Sequence, residues 1–137
     1  MLNTIRSTGQ ALAAVLCLAA AGTTPAAADS ASTCDVNAGL RVWRQCASCH
    51  TNKPDVQDKS GPNLHGVVGR KAGTVAYKKG FSAAMRAANL VWTPATLDRF
   101  LADPAKTVPG TYMVFVGVPD AAERAALICY LSNGVTR

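Results

Sequence analysis

Cys46-Ala47-Ser48-Cys49-His50 decides how this chain is read. Two cysteines three apart, with a histidine directly after the second, have the spacing that fixes a haem covalently: each thiol adds across one vinyl group and the histidine binds the iron from one side. The same C-x-x-C opens two other readings. A zinc site needs a second pair of ligands at short spacing, but Cys34 and Cys129 stand alone and the other histidine, His65, lies in a Gly/Pro turn. A thioredoxin-like pair belongs between a strand and a helix, whereas the residues before Cys46 carry a helical pattern and no alternating strand run follows. One covalently bound haem c is therefore the expected cofactor, with His50 as a ligand to its iron.

Working outward, residues 1–28 read as an export signal. Arg6 gives a positive start, Ala11 to Ala21 form an apolar stretch too short for a bilayer, and Pro25-Ala26-Ala27-Ala28 ends in the small-residue pattern that a signal peptidase cuts. Cys17 follows Val15-Leu16 and not a small residue, so it reads as part of that apolar stretch and not as a lipid attachment point. Cleavage after Ala28 leaves residues 29–137 as one small domain, whose core is marginal unless a buried porphyrin adds to it. The whole chain carries a formal charge of +6, and removing the signal takes away only Arg6 among the charged residues. That mild basicity fits acidic protein partners once a haem is accepted. No later stretch is apolar enough to span a membrane, and no arginine-rich tract with interleaved aromatics points to nucleic acid. The expected product is a periplasmic monomer.

Asp35 to Gln45 reads as a helix with Val36, Leu40 and Trp43 on one apolar face and Gly39 beside it, where another helix can approach. Thr51 to Thr74 is rich in Gly, Pro, Asp and Lys and reads as a long loop wrapped around a ligand. Phe81 to Ala88 is a short helix. Thr93-Pro94 caps another, with Leu97, Phe100 and Leu101 inward and a stop before Pro104. A second loop runs from Pro104 to Pro119. Asp120 with Glu123 then opens the last helix, which buries Leu127, Ile128, Tyr130 and Leu131 and ends at Asn133-Gly134. The fold class is all-α, a few helices and long loops around one haem. Haem iron has two axial positions, and Met85, Met113, His65 or a lysine are candidates for the second.

Taken together, Cys46-Ala47-Ser48-Cys49-His50, Gly61-Pro62-Asn63-Leu64-His65-Gly66, Gly69-Arg70-Lys71, Trp92, Val108-Pro109-Gly110-Thr111-x-Met113 and Glu123-Arg124-x-x-Leu127-Ile128-x-Tyr130-Leu131 resemble the class I cytochromes c. The similarity is to the soluble bacterial branch, the cytochrome c-two type, which is like the mitochondrial protein. It covers nearly all of residues 29–137 in a consistent order. The resemblance implies that Met113 is the second axial ligand, and that the Pro62 carbonyl accepts the Nδ1–H of His50. It further implies that Arg70 and Trp92 hold a haem propionate, that His65 is a surface loop residue, and that the terminal helices cross with Gly39 under Leu127 and Tyr130. That crossing brings Cys34 and Cys129 near each other, leaving open a disulfide or one buried and one exposed thiol.

Three departures from the family pattern stand out. Phe100 replaces a tyrosine whose hydroxyl reaches the methionine sulfur, and Phe81 aligns with a tyrosine that bonds a propionate. Ala105, Tyr112 and Pro119-Asp120 replace lysines around the exposed haem edge. Arg44, Lys59 and Lys106 remain as candidate cations at that edge, with Lys78, Lys79 and Arg86 expected elsewhere. The resemblance implies an electron carrier, not an enzyme, that shuttles single electrons from a quinol-oxidising complex or dehydrogenase to a terminal oxidase or reductase. A haem peroxidase or gas sensor is the rival class and would need iron without Met113; a dedicated subunit of one enzyme is the third possibility.

Overall fold

The computed structural model describes residues 34–133. The signal read over residues 1–28 and the Gly134 stop lie outside them. Helix α1, Val36–Trp43, begins where the Asp35 carboxylate accepts from the Ala38 backbone N–H at 2.9 Å, satisfying one of the donors that a helix start leaves over. The chain then winds directly into the Cys46–His50 turn, with Cys46 N donating to Trp43 O and His50 N to Cys46 O, each at 2.8 Å.

The buried face of α1 is Gly39, Val42 and Trp43, with Val36 partly buried against the core; of the expected Val36, Leu40 and Trp43 it is Leu40 that turns outward, 41% exposed. The helix turns its smallest residue inward because α5, Ala121–Asn133, crosses there. A Cβ at Gly39 would sit 2.5 Å from Tyr130 Cβ and 2.8 Å from the Ala126 carbonyl carbon. The nearest approach to Gly39 is thus by Ala126 and by the expected Tyr130. On α5 the spacing is met: Asp120 accepts from Glu123 N at 2.9 Å, and Leu127, Ile128, Tyr130 and Leu131 are all buried.

Two short helices and one longer one complete the set. Helix α2, Ala83–Ala87, is capped by Ser82, and α3, Pro94–Ala102, by a reciprocal box between Thr93 and Thr96 with proline in its first turn. Helix α4, Pro104–Thr107, lies in the segment expected to be loop. Asp103-Pro104 repeats the cap-and-proline signal of Thr93-Pro94, with the Asp103 carboxylate accepting from Lys106 N at 2.9 Å. A proline that stops one helix here starts the next. Helix α5 packs on both α1 and α3. Among the described residues no strand forms, only an isolated bridge between Lys71 and Val91, so the expected all-α class is met. Cys34 and Cys129 are joined as a disulfide with Cα atoms 5.5 Å apart, tying the residue before Asp35 to α5.

Candidate functional site

A cavity of about 520 Å³ lies between α3, α5 and the two long loops, and it takes in Cys46, Cys49, His50, Pro62, Arg70, Trp92 and Met113 together. These seven are the residues singled out in the sequence. Its wall is otherwise mostly apolar, including Leu97, Phe100, Leu101, Leu127 and Leu131. Met85 reaches the same cavity from α2 and is buried, whereas His65 is exposed and does not line it.

The α1-to-turn junction sets the thiols and the imidazole. Cys46 and Cys49 are free thiols. Burial, with the neighbouring Cys49 charge second, pushes Cys46 up to about 11. Cys49 is exposed and held below its ordinary value by the Ser60 and Ser48 side chains and, more weakly, by Lys59 and Lys79. His50 Nδ1 lies 2.8 Å from the Pro62 carbonyl, so Nδ1 carries the hydrogen and Nε2 is left with a free lone pair. Burial keeps His50 below the ordinary imidazole value, which favours that neutral form. Gly61 lies flat against the ring: a Cβ there would come within 2.7 Å of Nδ1 and closer still to Cε1.

The opposite end of the sequence supplies the thioether. Met113 lies in an alternating segment in which Tyr112, Val114 and Val116 face solvent, at 75%, 101% and 94% exposure, while Met113 and Phe115 pack against the core. Met113 N donates to Thr111 Oγ1 at 3.3 Å. Phe100 packs against Trp92 with ring centroids 4.9 Å apart and the planes tilted by 54°. Arg70 is half-buried, and its guanidinium donates to the Asn63 carbonyl at 2.9 Å and the His65 carbonyl at 3.2 Å.

These donors fit a haem. Two free thiols, a neutral imidazole with one nitrogen already committed and a soft thioether share an apolar cavity whose charged lining residues are all cations, Arg70, Lys71 and Lys79. A bare metal ion is a poorer fit, because among the described residues no three His, Cys, Asp or Glu side chains gather to hold one.

Lys79 is a correction, since it was expected away from this edge. The Tyr77–Gly80 turn, closed by Gly80 N donating to Tyr77 O at 2.9 Å, folds it back to the cavity beside Cys49. Sequence reasoning also passed over Tyr77, whose hydroxyl donates to the Ser60 carbonyl across the cavity mouth and whose ring packs on Phe81. It passed over Asn52 too, which donates to the buried Tyr130 hydroxyl at 2.7 Å and ties the segment after His50 to α5. Both contacts join residues far apart in the chain, and no local spacing announces them.

No family model matches the chain. It is similar to named proteins nonetheless. It is 41% identical over 99 residues to cytochrome c2 from Rhodoblastus acidophilus, covering 72% of this chain and 92% of that protein. A cytochrome c homolog from Bradyrhizobium diazoefficiens is 40% identical over 101 residues, covering 74% of this chain but 55% of that longer protein. Among solved structures, cytochrome cH from Methylobacterium extorquens matches with a TM-score of 0.67 and 42% identity, over 72% of this chain and 97% of that one.

Proposed function

Because the chain belongs to the class I cytochrome c family, we propose that it is a periplasmic shuttle for single electrons, working from a quinol-oxidising complex or dehydrogenase to a terminal oxidase or reductase. It carries covalently attached haem c and, like its family, is an electron carrier and not an enzyme. When bound, the haem supplies one reversible electron through its iron. In this reading Cys46 and Cys49 would hold the haem through thioether bonds, and His50 and Met113 would ligate its iron. Residues 1–28 direct export and are removed after Ala28.

The observation that carries the proposal is that one cavity takes in both thiols, the imidazole and the Met113 thioether. With both iron ligands supplied by the chain itself, no position would be left for a substrate. The Pro62 carbonyl fixes the His50 ring and raises its basicity. Arg70, already held by two backbone carbonyls, and Trp92 both line the cavity and would donate to a haem propionate, since a buried carboxylate without donors is costly. The apolar wall excludes water, and a methionine ligand favours the ferrous state.

Purified holo-protein should titrate as a single one-electron wave, take electrons from membranes oxidising quinol and pass them to membranes containing an oxidase. Its N-terminus after export should be Asp29. Rapid consumption of hydrogen peroxide, with no transfer between the two membranes, would sink the shuttle.

A further inference from the structure

Helix α3 ends by holding both ends of the Met113 segment. The last four carbonyls of a helix have no partner within it, and here two of them are put to use. Arg99 O accepts from Thr107 Oγ1 at 2.9 Å on the way into the segment, and Leu101 O accepts from Val118 N at 2.8 Å on the way out. The entry is further fixed by buried Val108, whose N–H donates to Pro104 O and whose carbonyl accepts from Thr111 N, each at 2.9 Å. The exit is fixed from α5. Arg124 Nη1 donates to Val118 O at 2.9 Å and to Pro119 O at 2.8 Å, while its Nε donates to the Asp98 carboxylate on α3 at 2.7 Å. The Arg124 side chain is only 12% exposed, so its bonds to the two carbonyls compete little with water, whereas the Asp98 carboxylate is 44% exposed and its ion pair is more screened.

We propose that Arg124 is a positioning residue for Met113: one guanidinium pins the exit of the segment to α3 and α5 at once, and so sets how readily Met113 leaves the cavity. This rests on Met113 as the axial ligand. A planar guanidinium reaches a carboxylate and two carbonyls together, which neither an amide nor a lysine reproduces. Loss of Arg124 leaves the exit with its Val118 N–Leu101 O bond and without the tie to α5, while the core leucines Leu97 and Leu101 of α3 and Leu127 and Leu131 of α5 remain. The effect should therefore appear in the segment more than in the fold.

The test uses holo-protein and two readouts: amide hydrogen exchange across residues 112–118, and the pH at which the sulfur-to-iron charge-transfer band is lost as a stronger ligand displaces Met113. Removing the charge-assisted bonds in Arg124→Gln should speed exchange about tenfold and lower that pH by about one unit. Asp98→Asn keeps both carbonyl bonds and should shift each readout less. Ile128→Val, which trims the core on the same helix, should lower the melting temperature and move neither. An Arg124→Gln protein that melts earlier but keeps the exchange and band of the wild type would make Arg124 merely structural and overturn the proposal. If Arg124→Gln yields no holo-protein, Arg124→Lys takes its place, and wild-type values in both it and Asp98→Asn overturn the proposal equally. A band that survives Met113→Ala is a different failure, that of the ligand assignment itself.

Discussion

A methyl group at residue 61 has nowhere to go, because the imidazole of His50 already fills the space in front of that Cα. Gly61→Ala should force the ring or the Ser60–Pro62 backbone to shift, strain that typically costs about 1–3 kcal/mol. The ring's bond to Pro62 should loosen with it. The expected result is a lower melting temperature and a higher reduction potential for the holo-protein, since an imidazole with a weaker bond to Pro62 is less basic and stabilises ferric iron less; an unchanged potential would show that the ring is not positioned by this contact. At this scale the sequence spoke clearly only where the chemistry is local. Cys46, Cys49 and His50 are adjacent, so their spacing was enough. Pro62, Arg70, Trp92 and Met113 entered through a resemblance, as did Arg124 without a role, and Tyr77, Asn52 and the Arg124–Asp98 pair act across stretches of chain that no spacing displays.

Between elements, the disulfide and α4 carry the predictions. Cys34–Cys129 closes a long loop across the α1–α5 crossing, worth about 4–5 kcal/mol in the chain-entropy model. Denatured, unreduced mature protein, without residues 1–28 and with its haem attached, should therefore show no free thiol, and Cys34→Ser with Cys129→Ser should unfold at clearly lower denaturant; two titratable thiols in the wild type would refute the bridge. Lys106 sits on α4 at the entry to the Met113 segment, and Phe100 offers Met113 no hydroxyl. Lys106→Ala should thus shift or abolish the alkaline loss of the charge-transfer band and leave the neutral spectrum intact. An unchanged transition would assign the replacement ligand elsewhere, with Lys71 and Lys79, which line the cavity, next in order. Caps and periodic faces made α3 and α5 legible. Helix α4 was missed because Pro104 was read only as a stop, and the face of α1 was misjudged because the close approach at Gly39 outweighed the pull of Leu40 toward the core.

Across the molecule, the balance of charge and apolar surface around the cavity sets how partners are met. Tyr112, Val114 and Val116 form an exposed apolar row beside a mouth whose charged lining is Arg70, Lys71 and Lys79. Charges farther off than the Debye length, about 8 Å at physiological salt, steer little. Electron transfer to an oxidase should therefore slow only modestly as salt rises, and Val114→Asp with Val116→Asp should slow it about tenfold at any salt, since such a row supplies contact and not steering. A steep salt dependence abolished by Lys79→Glu alone would move the docking energy onto charge. The sequence placed the basic balance correctly but not Lys79, because the turn that folds it back depends on three-dimensional packing. All of this stands on a haem held between His50 and Met113. The most direct measurement is the absorption spectrum of oxidised holo-protein at neutral pH, alone and, after reduction, under carbon monoxide. A His50/Met113 pair should give a sulfur-to-iron charge-transfer band that Met113→Ala abolishes, and no carbon monoxide adduct in the wild type. A wild-type protein that lacks the band and binds carbon monoxide at neutral pH would contradict it.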